Sequence, residues 1–306
     1  MEKLIIGLEW FLNPDHMPLI IGMKKGWFAE EDLEIEMVEP EEHFDAIDEM
    51  KAGKMDIAIT EPLHLVEDRA EGEDVVGFAR FLHTNGGVMY MKGKGIERPR
   101  DLIGKRIQYP GAPGLGGLAI VKTMAEHDGA TCSYEDFKSV NNGFYHTDAL
   151  ETDKADAATL IFKNFEITEA QHKGLKVDYF ALKDWGIPDF CQLILITTSQ
   201  VLSEREESLR KFTKVFRKAI DFIFEQQVEA KAIYLDYIKA GAEDTLAIKT
   251  MEATIPCFTY DFSMTDDYYS QLQSWLVETG KIKNPIQPED FWTNHLSLLE
   301  KWPVTN

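Results

Sequence analysis

The sequence predicts an α/β protein built from two similar lobes, with a ligand cleft between them and a helical C-terminal tail. Apolar, β-rich runs alternate with segments of helical periodicity over about the first two-thirds of the 306 residues, as in parallel α/β architecture. A short repeat supports two lobes, because GKMDIAIT at 53–60 resembles DKADAATL at 153–160. The pattern beyond residue 203 is almost purely helical. We expect residues 1–90 and 195–306 to form lobe 1 and residues 91–194 to form lobe 2.

The individual elements follow from local patterns. Strands are predicted where short apolar or β-branched runs are bounded by turn residues, at 4–8, 33–38, 56–59, 75–81, 87–91, 106–109, 137–140, 157–161, 177–181 and 193–198. Helices are predicted where apolar residues recur at intervals of three or four, at 18–28, 41–52, 62–70, 117–127, 165–173, 209–227, 228–240, 244–254, 265–279 and 288–299. Open α/β sheets bind ligands at the carboxyl ends of their strands, so we take the strand ends as the candidate site.

The composition of the chain argues against nucleic acid and membranes as partners. The chain has 32 Lys and Arg against 53 Asp and Glu, a net charge of −21, which repels phosphate backbones and disfavours nucleic-acid binding. No apolar run approaches the roughly 18 residues of a membrane span, and the charged Glu9 interrupts the first apolar stretch. We therefore expect no membrane insertion, no signal peptide and a cytoplasmic protein. The sequence leaves the oligomeric state open.

The cysteines indicate neither a disulfide framework nor a zinc site. Three are present, too far apart to form a paired motif: Cys132, Cys191 and Cys257.

Two clusters of lobe 1 are candidates for ligand contact. Trp10, Asn13 and His16 lie in the polar turn after the first strand, where a ring, an amide and an imidazole can meet a small molecule. Alternatively, the Trp packs on the next helix and the Asn-Pro turn is structural. The second cluster lies where a predicted strand runs directly into a helix, and its candidates are Thr60, Glu61 and His64. Alternatively, Glu61 only complements the dipole of that helix.

Further candidates lie in lobe 2 and at the two crossings between the lobes. Phe162, Phe165 and Glu166 follow the repeated strand and mirror the second cluster of lobe 1. Aromatic rings at such positions can stack on a flat ring, and carboxylates can bind its amino groups, but hinge packing is an equal alternative. The crossings contribute Thr84, Asn85, Asp189, Phe190 and Cys191.

A glycine-rich turn at 109–117 follows a strand and opens a helix. Free N–H groups at such a helix start can hold an anion or a carbonyl oxygen, so Gly111 and Gly114 are candidates for a ligand-facing loop. Gly114, Gly116 and Ala119 also fit a G-x-G-x-x-A dinucleotide pattern. A purely structural turn is the third alternative.

Several of these segments together resemble a known family. The segments are LEWFLNPDH at 8–16, KGWF at 25–28, LEIE at 33–36, GKMD at 53–56, DLIGKRI at 101–107 and GIPDF at 186–190. They resemble the thiamine-pyrimidine proteins, which include bacterial formylaminopyrimidine-binding proteins, fungal pyrimidine-phosphate synthases and orphan cytosolic fungal members. The likeness covers roughly residues 4–225 and implies the type 2 periplasmic-binding-protein fold. It also implies a flat pyrimidine between aromatic rings with acidic groups at its amino substituent, at the matching positions Trp10, Asn13, Phe165, Glu166, Asp189 and Phe190.

The departures from the family are informative. The fungal synthases carry a lysine that binds pyridoxal phosphate four residues before a reactive histidine; here His64 follows Thr60, which cannot form a Schiff base. Their cysteine-rich run is reduced to Cys191. No G-x-S-x-G, H-E-x-x-H or Walker motif occurs.

We therefore expect no cofactor, and a binding protein rather than an enzyme. It would close by hinge motion on a small heteroaromatic metabolite related to the thiamine pyrimidine. The alternatives are an enzyme of thiamine-pyrimidine synthesis and an uptake-system binding protein whose leader was removed.

Overall fold

The computed structural model describes residues 1–40, 46–112, 114–259 and 261–297. The strands are β1 (Glu2–Gly7), β2 (Leu33–Val38), β3 (Ile57–Thr60), β4 (Val76–His83), β5 (Gly86–Met91), β6 (Arg106–Gln108), β7 (Lys138–Val140), β8 (Ala157–Phe162), β9 (Val177–Ala181) and β10 (Gln192–Thr197). The helices are α1 (Met17–Lys24), α2 (Trp27–Glu30), α3 (Ala46–Lys51), α4 (Pro62–Glu71), α5 (Leu115–His127), α6 (His146–Glu151), α7 (Thr168–His172), α8 (Ser199–Glu204), α9 (Glu206–Glu225), α10 (Gln227–Tyr237), α11 (Thr245–Thr254) and α12 (Asp266–Glu278).

The strands form two five-stranded sheets, one for each lobe. Lobe 1 has the order β2-β1-β3-β10-β4, and lobe 2 has the equivalent order β7-β6-β8-β5-β9. The first three strands in each order are mutually parallel, whereas β10 in lobe 1 and β5 in lobe 2 run antiparallel to their neighbours. The predicted two-lobed α/β architecture is confirmed.

The internal repeat has a structural counterpart in two aspartates. Asp56 precedes β3 and accepts the N–H of Ile5 in β1 at 2.8 Å. Asp156 precedes β8 and accepts the N–H of Arg106 in β6 at 2.9 Å. Each carboxylate therefore fixes the start of a central strand against its parallel neighbour, and the short sequence likeness reflects equivalent positions in the two lobes.

The chain passes from lobe 1 to lobe 2 at residues 84–85, because β5 already belongs to the second sheet. This crossing lies before the boundary expected after residue 90. The return crossing ends before Gln192, where β10 begins. Gly86 is required at the first crossing, since a Cβ there would lie 2.1 Å from the Cys191 sulfur and 2.4 Å from the Ile161 carbonyl oxygen.

Most of the helical tail packs on lobe 1. Amphipathic helix α9 buries Phe212 against Phe28, with ring centroids 5.6 Å apart, and Phe216 against Phe81 at 5.1 Å. Helix α12 belongs to the residues 195–306 that were assigned to lobe 1. It also contacts lobe 2, because the indole N–H of Trp275 donates to the Thr123 hydroxyl in α5 at 3.1 Å.

Two predicted helices differ from the structure. The helix predicted at 18–28 is interrupted at Gly26, whose φ of 71° ends α1 and starts α2. The helix predicted at 288–299 is wrong within the described residues. A single turn (Pro288–Asp290) is followed by chain that pairs with the edge of β4, where the Gly77 N–H donates to the Phe291 carbonyl at 2.9 Å. Burial of Phe291 against lobe 1 competes with helix continuation.

Residues 41–45 of the helix predicted at 41–52, and residues 298–299 of the helix predicted at 288–299, lie outside the described residues. Among the helices that the structure describes, none is both long and apolar enough to cross a membrane.

Candidate functional site

A cavity of about 520 Å³ lies between the two lobes. It is bounded by residues that follow β1, β3, β6 and β8, whose carboxyl ends meet at the cleft as expected for open α/β sheets. Its lining residues are Leu8, Glu9, Trp10, Asp15, Ala46, Ile47, Ile59, Thr60, Glu61, His64, Asp68, Pro110, Phe144, His146, Leu160, Phe162, Phe165, Glu166, Leu193 and Ile196. Of the predicted site residues, the cavity brings together Trp10, Thr60, Glu61, His64, Phe162, Phe165 and Glu166.

One wall of the cavity is aromatic and combines both lobes. The Trp10 ring of lobe 1 lies 4.8 Å from Phe165 and 6.0 Å from Phe144 of lobe 2, with interplanar angles of 64° and 53°. Such tilted contacts are favourable arrangements of aromatic quadrupoles. The Trp10 Nε1 atom is buried without a hydrogen-bond partner among the described residues. The wall can therefore receive a flat apolar surface and still offers one unused donor.

Asn13 and His16 do not line this cavity; instead they fix the loop that carries Trp10. The Asn13 side-chain oxygen accepts the Asp15 N–H at 2.8 Å. The His16 Nδ1 atom accepts the Asn13 N–H at 3.1 Å, so its ring proton resides on Nε2, which donates to Glu9 Oε2 at 3.0 Å. Glu9 does line the cavity, so these two predicted contact residues act on the site through their neighbours.

Asp15 is a buried carboxyl at the junction of the lobes. Its Oδ1 accepts the Asn164 amide of lobe 2 at 3.0 Å, and the same amide donates to the Thr254 hydroxyl of α11 at 2.9 Å. Burial, reinforced by the charge of Glu9, raises the pKa of Asp15 to about 7. Asp15 also lines the cavity, so an inter-lobe hydrogen bond and the ligand space share one carboxyl group.

The end of β3 presents an ion pair to the cavity. The His64 Nδ1 lies 3.0 Å from Glu61 Oε2 and 3.3 Å from the Thr60 hydroxyl. Burial alone would lower the pKa of His64, but the hydrogen bond and charge of Glu61 raise it to about 9. At neutral pH this corner therefore holds a protonated imidazole already matched with a carboxylate.

The end of β8 presents an uncharged pair of the same residue types. Burial raises the pKa of Glu166 to about 8, although its Oε2 accepts the Phe162 N–H at 2.8 Å. Burial lowers the pKa of His146 to about 4. Both groups are therefore neutral at pH 7, and their 3.9 Å separation is neither an ion pair nor a short hydrogen bond.

The tautomer of His146 follows from Gln108. The Gln108 amide nitrogen donates to the Gly143 carbonyl at 2.8 Å, which leaves its oxygen facing His146 Nδ1. The ring proton must then reside on Nδ1, and Nε2 is a bare acceptor near Glu166 Oε1. Because Glu166 Oε2 is used as an acceptor, the acid proton of this residue resides on Oε1. One donor and one acceptor thus lie side by side in this part of the cavity.

A β-bulge sets the position of this second pair. Leu160 has a left-handed φ of 64°, and β8 gains one residue relative to β5 at this point. Bulges re-aim the side chains that follow them and cluster near functional sites. The π-helical turn Lys163–Ile167 comes directly after the strand and carries Asn164, Phe165 and Glu166 inward.

The crossing candidates do not line the cavity. Asp189 pairs with His83 at 2.9 Å, and the buried Phe190 packs 5.8 Å from Trp275. Thr84 donates to the Asn85 carbonyl at 3.3 Å. These residues, with the buried Cys191 against Gly86, form the connection between the lobes, which corresponds to the alternative of hinge packing.

Gly111 and Gly114 also lie outside the cavity lining, although the adjacent Pro110 is part of it. The Gly114 N–H donates to the Gly111 carbonyl at 3.0 Å, so this turn satisfies part of its own backbone.

Sequence reasoning missed thirteen of the twenty lining residues, and five of these carry polar or aromatic side chains: Glu9, Asp15, Asp68, Phe144 and His146. Glu9 lies beside a residue that was selected and follows a strand, so its signal was available. Phe144 and His146 follow β7 in the same way that Trp10 follows β1, and the strand-end rule applied to that segment would have found them. Asp15 resembles an ordinary acidic residue in a first helical turn.

The described lining offers pyridoxal phosphate no amine with which to form a Schiff base. No lysine or arginine is among the described residues that line the cavity, and Thr60 occupies the position expected for the Schiff-base lysine. Aldimine formation requires an amine nucleophile.

Comparison with known proteins identifies relatives of two kinds. A family model described as "NMT1/THI5 like" matches residues 13–230. The 4-amino-5-hydroxymethyl-2-methylpyrimidine phosphate synthase THI11 of Saccharomyces cerevisiae is 28% identical to this chain, over 99% of the chain and 89% of the synthase. A formylaminopyrimidine-binding protein of Halalkalibacterium halodurans is 25% identical, over 96% of this chain and 90% of its own length.

Solved structures support the fold. The Candida albicans CA3427 gene product, described as exhibiting the generic periplasmic binding protein fold, superimposes with a TM-score of 0.72. It is 15% identical, and the match covers 96% of this chain and 97% of that one. The expected periplasmic-binding-protein fold is therefore confirmed.

Proposed function

Because the chain belongs to the NMT1/THI5-like family, we propose that it is a two-lobed binding protein that closes on a small, amino-bearing heteroaromatic ring related to the thiamine pyrimidine. The observation that carries the proposal is the inter-lobe cavity, in which an aromatic wall from both lobes meets buried carboxyl groups. Its volume of about 520 Å³ falls within the usual range for small-molecule sites.

The aromatic wall supports a flat ligand. A ring placed against Trp10 and Phe165 would gain offset or edge contacts of the kind that aromatic pairs prefer. The unpartnered Nε1 of Trp10 can donate to a polar substituent at the rim of that ring. A non-aromatic ligand of the same size would leave this wall poorly matched.

The neutral Glu166 supports a ring nitrogen beside an amino group. Its Oε1–H can donate to the lone pair of the ring nitrogen, and the nearby Nε2 of His146 can accept from an exocyclic amine. An aminopyrimidine presents this adjacent acceptor and donor. The same pair offers no complementarity to a plain hydrocarbon ring.

Closure of the lobes is the step that brings the two halves of the site together. Asn164 of lobe 2 donates hydrogen bonds to Asp15 and Thr254 of lobe 1, and Asp15 also lines the ligand space. Hinge closure around a ligand removes water and strengthens these polar contacts.

Calorimetric titration tests the proposal. The panel comprises 4-amino-5-hydroxymethyl-2-methylpyrimidine, formylaminopyrimidine, a methylated benzene lacking ring nitrogens, and an aliphatic amine. We expect binding by the aminopyrimidines and none by the two controls. Failure of every heteroaromatic ring to bind would refute the ligand assignment.

We also propose that the protein acts without pyridoxal phosphate and in the cytoplasm. The cavity chemistry supports the first statement, since no described lining residue is lysine. Three free cysteines fit a reducing compartment. Purified protein should lack the visible absorbance band of the cofactor after incubation with it, and fractionation of native cells should recover the protein in the cytosol.

A further inference from the structure

The ionisable side chains that line the cavity are mostly acidic. Its lining includes five carboxyl side chains, contributed by both lobes, and no lysine or arginine among the described residues; the acids are Glu9, Asp15, Glu61, Asp68 and Glu166. The cationic group in this lining is His64, and it is already hydrogen-bonded to Glu61. A site built in this way offers a bound anion no unmatched positive charge from these side chains.

The N-terminus of helix α4, which could have held an anion, is preceded by a carboxylate of the protein itself. Helix α4 begins at Pro62 beside the cavity, and helix N-termini favour negative charge. Glu61 takes the position immediately before the first helical residue, so the protein places its own carboxylate at this end. His64, in the first turn, is held by that same carboxylate at 3.0 Å.

The glycine-rich turn uses part of its own backbone. The Gly114 N–H is donated to the Gly111 carbonyl, and the Ala112 N–H to the Tyr109 carbonyl at 3.4 Å. Neither Gly111 nor Gly114 is part of the cavity lining. Among the described lining side chains, a phosphate on the ligand would therefore meet carboxyl groups where a phosphate-binding protein offers lysine or arginine.

We propose that this cavity selects the unphosphorylated, neutral or cationic form of an amino-bearing heteroaromatic ring and rejects its phosphate monoester. The inference rests on the proposed function and narrows its ligand class. Glu61 is a residue that determines this selectivity, because its carboxylate pairs with His64 and belongs to the residue immediately before α4. Binding of the monoester would bring its negative charge close to these carboxylates, and this repulsion disfavours the wrong ligand.

The test compares one ring in two forms. 4-Amino-5-hydroxymethyl-2-methylpyrimidine and its phosphate monoester are titrated into the full chain by calorimetry at low and at moderate salt. We expect the alcohol to bind at least about 100-fold more tightly than the monoester, with a ratio that shrinks as salt screens the carboxylates. Equal or tighter binding of the monoester would overturn the inference while leaving the proposed function standing. Binding of neither form would refute the proposed function itself, and the inference with it.

A pair of variants tests the role of Glu61. Glu61→Gln frees His64 and the α4 terminus, so we expect the selectivity ratio to fall by at least about tenfold through stronger monoester binding. Glu71→Gln removes a carboxylate from the exposed far end of the same helix and should leave the ratio unchanged. Circular dichroism checks that both variants fold. An unchanged ratio in folded Glu61→Gln would refute the electrostatic role of this residue.

Discussion

The substitution Glu166→Gln tests the protonation state on which the ligand geometry depends. Glutamine reproduces the neutral acid closely, because its oxygen can still accept the Phe162 N–H and its NH₂ replaces the O–H. Wild-type Glu166 is 3% exposed, and burial raises its pKa from 4.5 to about 8. The folded state therefore holds this proton at pH values at which the unfolded chain has released it.

The sign and size of the effect follow from linkage. The folded protein binds more protons than the unfolded chain between pH 4.5 and about 8, so the free energy of unfolding falls as pH rises through this window. Each pKa unit corresponds to about 1.4 kcal/mol, so the whole shift amounts to about 5 kcal/mol. Water entering the cavity reduces this value, and we expect about 2–4 kcal/mol between pH 5 and pH 8.

Urea unfolding at several pH values measures the effect. The stability of the wild type should fall relative to Glu166→Gln as pH rises, whereas the two proteins should agree best near pH 5. Asp15, whose pKa is raised to about 7, titrates in both proteins and largely cancels in the difference. Glu169→Gln is the matched control, because it removes a nearby carboxylate that pairs with Lys173 outside the cavity. Parallel stability curves for the wild type and Glu166→Gln would refute the buried neutral acid.

Three further predictions concern the wall, the inter-lobe bond and the crossing. Trp10→Ala should weaken binding of an aminopyrimidine by at least about tenfold, whereas Trp10→Phe should lose less because a ring remains; calorimetry distinguishes them. Asn164→Asp places a second carboxyl group next to Asp15, so this variant should lose stability as pH rises above about 5. Asn164→Leu should be destabilised by about 1–3 kcal/mol with little added pH dependence. Urea unfolding at several pH values compares the two variants. Gly86→Ala should lower the melting temperature sharply, because its Cβ would meet a backbone carbonyl at 2.4 Å. Gly116→Ala in helix α5 should be neutral or stabilising by up to about 1 kcal/mol, because its Cβ would make only an ordinary contact with Lys281 Nζ at 3.5 Å.

Strand ends could be predicted from the sequence because they depend on local patterns. Thr60 and Glu166 follow β-rich runs that the repeat places at equivalent points of two lobes, and parallel strands bring such ends to one edge. Asp189 and Phe190 were selected as residues of a crossing, and there they help to form the connection between the lobes instead of lining the cavity. Whether a residue near a crossing faces the cleft or the hinge depends on how the two sheets are joined, which no local pattern records.

The electrostatics of the site could not be predicted, because they arise between distant segments. The Nδ1 of His146 is fixed by Gln108, 38 residues away in the chain, and Asp15 meets Asn164 across 149 residues. The bulge at Leu160 adds a further shift, since a leucine with a φ of 64° carries no sequence signal comparable to glycine. The residue types were visible, but their partners were not.

The two lobes use one pair of residue types in opposite ionisation states. Lobe 1 presents Glu61 with His64, whose side chains are 23% and 38% exposed, and lobe 2 presents Glu166 with His146, at 4% and 3%. In lobe 1 the His64 and Glu61 atoms are 3.0 Å apart and partly exposed to water, which favours the charged pair. In lobe 2 the His146 and Glu166 atoms are 3.9 Å apart and deeply buried, which favours the neutral pair. Burial and contact distance together thus give a duplicated scaffold two unlike half-sites, one charged and one uncharged. The ligand that we propose, flat, nitrogen-bearing and free of negative charge, would match both.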